Sequence, residues 1–120
     1  MADFKLFDAE YRMMDILWEN EPMLTTELVR LCAERFRWAQ TTTYTQIKRM
    51  IDRGFLKSEK RVLTALVKRD QVEQYDSEEI VGQRFGGSLP KFVTAFIGSK
   101  KLTREELDEL RRILDDHAEE

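Results

Sequence analysis

Apolar residues recur at helical spacing in three short segments of the first half of the chain. The first segment begins at Asp8, a good N-cap residue, and continues to about Trp18. A second begins at Thr25, which also suits a capping position, and a third occupies residues 39–53. Gly54 follows at the position where a helix commonly ends in a left-handed residue. This pattern predicts three helices with brief connections, as in a helix-turn-helix variant.

The third predicted helix has two faces of different character. The inward face is formed by Thr43, Ile47, Met50 and Ile51. The outward face carries Thr41, Thr45, Lys48 and Arg49. A solvated helix usually displays Glu and Lys, whereas threonines and cations reach phosphates and base edges of DNA. The outward face therefore favours a DNA major groove, with an amphipathic helix of unusual surface as the alternative.

Two runs rich in apolar and β-branched residues follow, at residues 55–60 and 62–67. They predict two strands flanked by cations, and a hairpin directly after such a helix is a wing. No Gly, Asn or Pro lies between Lys57 and Arg69, so the sequence does not indicate the type of turn. The predicted fold is mainly α with a small β-hairpin wing, a winged helix-turn-helix over residues 1–72.

Three further helices are predicted in the remainder of the chain. Residues 76–79 resemble a capping box and predict a fourth helix that runs to about Phe85. Ser88 is placed to cap a fifth helix that Gly98 ends, and Thr103 begins a regular capping box for a sixth. These helices form the predicted C-terminal α-helical dimerisation region, residues 73–120.

The fifth predicted helix, residues 89–97, is apolar on nearly all sides and must be covered on more than one of them. The C-terminal region is too short to bury so much apolar surface by itself. Packing against a second copy of the chain is favoured over packing against the winged domain, since operator readers of this kind are commonly dimers. The side chains expected at the dimer core are Phe92, Phe96, Leu110 and Ile113.

Composition and charge refine this prediction. The chain has 120 residues, of which 42% are hydrophobic and 36% charged, with a net charge of −3. Residues 37–69 hold nine cations and two anions, a local charge of +7, whereas residues 71–120 hold seven cations and twelve anions, or −5. A local basic patch matters more for nucleic-acid binding than the charge of the whole chain.

Several functional classes are disfavoured by the residues present. Catalysis needs a paired nucleophile and base or a metal cluster, and we expect no enzyme activity, cofactor or metal site. Cys32 is the only cysteine and is expected to be a small buried residue, with a reactive thiol as the alternative. No apolar run has the length of a membrane span or of a secretory signal, so we expect a cytoplasmic protein without membrane insertion.

An ordered set of motifs resembles the penicillinase repressor family of the BlaI/MecI type. The segment at residues 6–18 is similar to the family's opening Leu, Ala-Glu-Trp, Val-Met and Leu-Trp pattern. The other similar segments are Trp38-Ala39 with residues 41–45, Arg53-Gly54-Phe55-Leu56 with Glu59-Lys60, Phe85-Gly86-Gly87-Ser88, and residues 102–114. The resemblance covers essentially the whole chain. It implies a winged-helix repressor that binds a palindromic operator upstream of antibiotic-resistance or stress genes.

The resemblance also implies a mode of induction. In the best-known members a membrane sensor triggers proteolysis of an Asn-Phe bond in the fifth helix, which makes a regulatory protease or membrane sensor a candidate partner. The aligned pair here is Ala95-Phe96, a candidate cleavage site that lacks the Asn. A direct ligand remains an alternative inducer. The copper-responsive branch is disfavoured, because this C-terminal region has no cysteine and only His117.

The sequence thus predicts a homodimeric DNA-binding repressor. The expected DNA contacts are Thr41, Thr42, Thr45, Lys48 and Arg49 on the third helix, with Lys60 and Arg61 on the wing. The alternative is a winged-helix module that binds proteins without sequence-specific DNA binding.

Overall fold

The structure is a computed structural model, and it describes residues 3–119. Within this range the helices are α1 (Asp8–Asn20), α2 (Thr25–Phe36), α3 (Gln40–Asp52), α4 (Arg69–Arg84), α5 (Leu89–Ile97) and α6 (Arg104–Asp116). The strands are β1 (Met23–Leu24), β2 (Leu56–Glu59) and β3 (Val62–Ala65). The chain divides into two compact units, of which the first ends at Ile80 and the second begins at Val81. A mainly α fold with a small β-hairpin is confirmed.

The first unit is built around one apolar core. Helix α1 packs against α2, α3 and β3, and its Met13, Met14 and Leu17 are completely buried. Leu28 from α2 and Met50 from α3 join them in the same cluster. Burial of each such side chain contributes roughly 1.5–3 kcal/mol to folding, so this core fixes α3 against the other two helices.

The sheet has three antiparallel strands in the order β1-β3-β2. The predicted hairpin is present as β2 and β3, with Glu59 opposite Val62, and we call it the wing. Strand β1 was not predicted. It has only two residues, and Leu24 pairs with Val62 far along the chain, so no local periodicity indicates it.

Two predicted N-caps are shifted by one residue. The N-cap of α1 is Phe7 rather than Asp8, and the carboxylate of Glu10 accepts the N–H of Phe7 at 2.8 Å. The N-cap of α2 is Leu24, which makes Thr25 the first helical residue. Thr25 instead donates to the carbonyl of Arg61 in the wing, a long-range contact that sequence rules for helix caps do not include.

The start of the fourth helix was predicted wrongly. Helix α4 begins at Arg69, so residues 76–79 lie within it and do not cap it. Gln71 Oε1 accepts the backbone N–H of Lys68 at 2.8 Å, which satisfies a free donor at this earlier start. Val72 is fully buried, and its burial anchors the first turn of α4 in the core of the first unit. Because α4 continues through residues 72 and 73, the division into functional regions at that point stays a prediction.

The caps predicted in the second unit are confirmed. Ser88 Oγ accepts the N–H of Lys91 at 3.1 Å, and α5 ends at Gly98. Thr103 and Glu106 form a reciprocal capping box at the start of α6, with both backbone bonds at 3.1 Å. No helix in residues 3–119 is long and apolar enough to cross a membrane.

Candidate nucleic-acid interface

Helix α3 presents a polar face away from the core. Thr43, Ile47 and Met50 are buried, as predicted. The five residues proposed to contact DNA on this helix are all exposed: Thr41, Thr42, Thr45, Lys48 and Arg49. The inward assignment of Ile51 was wrong, since this side chain is 38% exposed. Positions 43, 47 and 50 already fill the inward stripe, and residue 51 lies about 40° beyond Ile47, outside the edge of that stripe.

The C-terminal end of α3 is closed by a Schellman motif. The N–H of Gly54 donates to the carbonyl of Ile51 at 3.0 Å, and that of Phe55 donates to Met50 at 2.8 Å. Gly54 has φ of 80°, a left-handed conformation that glycine adopts without a Cβ penalty. Phe55 is buried directly after it. The motif turns the chain from α3 into the wing and fixes their relative positions.

The N-terminal end of α3 lacks a side-chain cap. Ala39 occupies the N-cap position, and among the described residues no side chain caps it and no acidic residue lies in the first turn. The first N–H groups of a helix carry partial positive charge and bind anions such as phosphate. This end of α3 is therefore free to accept a DNA phosphate.

The hydroxyl of Thr45 is oriented by the helix itself. Its Oγ1 donates to the carbonyl of Thr41 at 2.9 Å. Because the hydroxyl proton is used in that bond, Thr45 presents acceptor lone pairs and a methyl group outward. An amino group of cytosine or adenine and the methyl group of thymine are complementary to these two features.

The wing ends in a two-residue turn of Lys60 and Arg61. Their φ angles are 50° and 66°, and two positive values in succession are the signature of a type I′ turn. Such turns strongly prefer Asn-Gly, so the residues present here do not indicate a turn of this type. Both side chains are exposed at the tip.

Ion pairing separates the cations of the basic segment into two groups. Four of the nine cations between residues 37 and 69 pair with carboxylates: Arg53, Lys57, Lys68 and Arg69. Within residues 3–119 no carboxylate pairs with the other five, which are Arg37, Lys48, Arg49, Lys60 and Arg61. Every cation predicted to contact DNA is in this second group. The charges of these cations are therefore available to DNA phosphates.

Arg37 is an exposed cation that sequence reasoning did not select. It forms the C-cap of α2 with φ of 58°, just before α3. A left-handed arginine cannot be read from sequence, because glycine or asparagine is the usual residue at such a position. Its exposure beside the start of α3 adds a fifth available cation to the surface.

Cysteine chemistry is not supported. Cys32 is fully buried, as predicted, and burial raises the pKa of its thiol to about 11. The thiolate needed for reactivity or metal binding is therefore disfavoured. Residues 3–119 hold no group of three or more His, Cys, Asp or Glu side chains placed to bind a metal.

The second unit carries an apolar groove between α5 and α6. All four residues predicted for the dimer core, Phe92, Phe96, Leu110 and Ile113, line this groove. Its volume is about 430 Å³. Phe96 is 66% exposed and Leu110 and Ile113 are 42% and 48% exposed, so a single chain does not cover them.

Comparison with known proteins places this architecture in a family. A family model described as the penicillinase repressor matches residues 6–116. The penicillinase repressor of Bacillus licheniformis is 26% identical over 117 residues, which cover 94% of this chain and 91% of that protein. The methicillin resistance regulatory protein MecI of Staphylococcus aureus (strain N315) is 23% identical over 115 residues, covering 92% and 94%. The penicillinase repressor of Staphylococcus aureus is 24% identical over 112 residues, covering 90% and 89%.

The family match includes the whole of α3, the wing and both C-terminal helices. The relatives align over nearly their full lengths, so the similarity is not confined to one motif. This chain therefore belongs to the penicillinase repressor family, and it is a DNA-binding transcriptional repressor rather than an enzyme.

Proposed function

We propose that this repressor acts as a homodimer that reads a palindromic operator. Each protomer places α3 in the major groove and the Lys60–Arg61 turn against the phosphate backbone. The observation that carries the proposal is the separation of the basic segment into paired and unpaired cations. Among the residues that the structure describes, no carboxylate pairs with the cations on the proposed DNA surface, whereas Arg53, Lys57, Lys68 and Arg69 are neutralised by carboxylates.

The division of roles on the DNA surface follows from side-chain chemistry. Thr41, Thr42 and Thr45 are short and lie on the exposed face of α3, where they suit base edges and nearby phosphates. Lys48 and Arg49 follow on the same face and reach phosphates or guanine edges. A module that binds only proteins would not require unpaired cations at both α3 and the wing.

The dimer is supported by the groove of the second unit. Its lining is apolar apart from Glu106 and Glu109, and Phe96, Leu110 and Ile113 are exposed in the single chain. Covering each such side chain contributes roughly 1.5–3 kcal/mol. A second copy presents the same surface, so a two-fold interface is self-complementary. Two linked DNA-binding units then bind two half-sites together and gain affinity from the linkage.

The regulated genes are inferred from the relatives. Two of them are named penicillinase repressors, and another is named a methicillin resistance regulatory protein. We infer that this repressor controls antibiotic-resistance or stress genes. Recovery of genomic fragments that bind the purified protein would identify the operator.

The experiment that tests the proposal uses fluorescence anisotropy on a recovered operator fragment. We expect Lys48→Ala combined with Arg49→Ala to weaken binding and to flatten the salt dependence by about one unit for each phosphate that the variant no longer neutralises. Arg30→Ala is the control, since Arg30 lies on α2 between Glu27 and Glu34 and is not on the proposed surface.

Three outcomes would contradict parts of the proposal. Unchanged operator affinity in a folded Lys48→Ala, Arg49→Ala protein would mean that α3 is not the reading helix. A monomer by equilibrium sedimentation at micromolar concentration would exclude the dimer. Absence of any salt-dependent DNA binding by the parent protein would favour the protein-interaction module.

A further inference from the structure

The wing tip is fastened to the start of α2 by one residue. The backbone N–H of Thr25 donates to the carbonyl of Arg61 at 2.9 Å, and Thr25 Oγ1 donates to the same oxygen at 3.2 Å. These bonds directly continue the pairing of Leu24 with Val62 between β1 and β3. The carbonyl that Thr25 holds belongs to one of the two left-handed residues of the turn.

The turn is strained by its composition. A left-handed conformation brings the Cβ of an ordinary residue too close to the backbone, and here two long residues adopt it in succession. Asn-Gly would form the same turn without this penalty. A strained conformation persists only where surrounding contacts hold it, and such sites cluster at functional surfaces. The pairing of Glu59 with Val62 closes the turn within the hairpin. The double hydrogen bond from Thr25 adds a contact from outside the hairpin that holds the turn itself.

We propose that Thr25 is a positioning residue for DNA binding. It holds the Arg61 carbonyl, so that a strained turn of Lys60 and Arg61 projects two exposed cations in a fixed direction. The turn thus lowers folding stability while it places charge at the tip. The inference rests on the proposed function, because it assumes that the wing contacts phosphate.

The Thr25 bonds restrict the conformations of the turn, and so of its two cations, before DNA is bound. Lys and Arg side chains lose conformational freedom when they are fixed on a phosphate. A turn that is already fixed loses less, since its backbone does not have to be ordered on binding. Without the Thr25 bonds the turn relaxes, and the same two charges are spread over more conformations. Affinity falls although no DNA-contacting group has been removed.

The test compares four variants in operator binding and its salt dependence. Thr25→Val removes the hydroxyl bond and keeps a side chain of similar shape, and we expect about a fivefold loss of affinity, the size of one broken hydrogen bond. Thr25→Ser keeps the hydroxyl and should bind like the parent. Thr26→Val is the matched control, since Thr26 is exposed next to Thr25. Thr25→Pro removes both donors at the first helical position, where proline is tolerated, and should cause the larger loss.

A second set isolates the wing. In the Lys60→Ala, Arg61→Ala background, Thr25→Val should cause no further loss, because there are no cations left to position. Lys60→Asn combined with Arg61→Gly should raise the melting temperature by about 4–8 °C, the shift expected for relief of a modest strain. The same double variant should weaken operator binding.

The outcomes separate this inference from the proposed function. If the parent protein does not bind DNA, both are overturned. If it binds and the Lys60→Ala, Arg61→Ala variant is weakened, the wing contact stands. In that case parent-like binding by Thr25→Val and Thr25→Pro overturns the inference alone, as does a Thr25→Val loss that persists without the two cations. A melting temperature that does not rise in Lys60→Asn, Arg61→Gly overturns the strain on which the inference depends.

Discussion

Arg53 at the end of α3 pairs with Glu10 of α1, with 3.3 Å between Nη1 and Oε1. The Glu10 side chain is only 2% exposed, whereas that of Arg53 is 28% exposed. Arg53 Nη2 also donates to the carbonyl of Lys5 at 2.6 Å, and the guanidinium lies 4.7 Å from the ring centroid of Phe55. Arg53 therefore joins the end of α3 to α1 and to the N-terminal segment.

We predict that Arg53→Ala destabilises the fold more than Glu10→Ala does. Removing Arg53 leaves a buried carboxylate with the N–H of Phe7 as its remaining partner. Removing Glu10 also breaks the bond to Phe7, but Phe7 is exposed, so its N–H and the guanidinium of Arg53 both reach water. Loss of one partner of a fully buried pair costs about 3–5 kcal/mol, and partial exposure here reduces the expected value for Arg53→Ala to about 2–4 kcal/mol. Urea unfolding measures both.

Arg30→Ala is the control for this comparison. Its ion pairs with Glu27 and Glu34 are exposed, and such pairs contribute about 0–1 kcal/mol. A loss for Arg53→Ala no larger than that for Arg30→Ala would mean that the Glu10 pair does not stabilise the junction.

This junction shows why part of the molecule could be predicted from sequence and part could not. Helical periodicity depends on residues only a few positions apart, and so does the effect of Gly54, Ser88 or Thr103 on its own helix end. For this reason α1 to α3 and several caps could be predicted from sequence. The pairing of Arg53 with Glu10 joins residues 43 positions apart. Sequence showed a patch of charge +7, but only the fold distinguishes the cations that are neutralised from those that are available.

Strand β1 and the start of α4 also depend on contacts that local sequence patterns do not show. Strand β1 exists because Met23 and Leu24 meet β3, and the start of α4 depends on Gln71 and on burial of Val72. Local sequence rules instead favoured the polar cluster at residues 76–79. The type of the wing turn could not be predicted either, because Lys60 and Arg61 are not residues that favour a type I′ turn.

Thr45 provides a prediction about specificity. Since its hydroxyl proton is donated to Thr41, Thr45→Val removes outward acceptor lone pairs and keeps a similar shape. We expect a loss of about 1–3 kcal/mol on the operator and little change on unrelated DNA, because a base contact carries the sequence information. Thr45→Ser keeps the acceptor and tests the methyl group separately. An equal loss on both DNAs would indicate that Thr45 contacts phosphate instead.

The apolar groove predicts a dimer that one charge disrupts. Leu110→Lys places an ammonium group on the groove, where a second copy would desolvate it, and we expect a monomer with weak operator binding. The helical circular dichroism should change little, because Leu110 is 42% exposed in the single chain. Glu105→Lys, on α6 but outside the groove lining, is the control and should remain dimeric. A dimeric Leu110→Lys protein in sedimentation would place the interface elsewhere.

Cys32 predicts a specific loss of stability at high pH. Burial raises the pKa of its thiol from 9.0 to about 11, so the unfolded chain releases this proton at a lower pH than the folded chain does. The free energy of unfolding should therefore fall as pH rises from 9 to 11, by at most about 1.4 kcal/mol per pH unit from this group. Cys32→Ala removes this contribution while other groups titrate as before. Parallel pH profiles for the two proteins would contradict the prediction.

The Ala95–Phe96 bond is the candidate site at which a protease would cut the repressor to release it from DNA. Both residues lie inside α5, whose backbone must open locally before a protease can cut it. The pair also lacks the Asn that the family resemblance led us to expect. We therefore predict that the protein stays intact when its host is exposed to a β-lactam. A blot before and after exposure measures this, and a fragment ending near Ala95 would contradict it.

A matched variant shows whether the missing Asn is the reason that the protein resists cleavage. Ala95→Asn restores the Asn-Phe pair at an exposed position of α5, so it should leave the helix and the groove in place. In a host that carries a penicillinase-type sensor and protease, we expect this variant to be cleaved while the parent protein is not. Cleavage would separate the first part of α5 from the groove residues of α6, and the linkage between two bound half-sites would disappear. If neither protein is cut but the target gene is derepressed, a ligand releases the repressor from DNA. The residue at position 95 then does not determine induction.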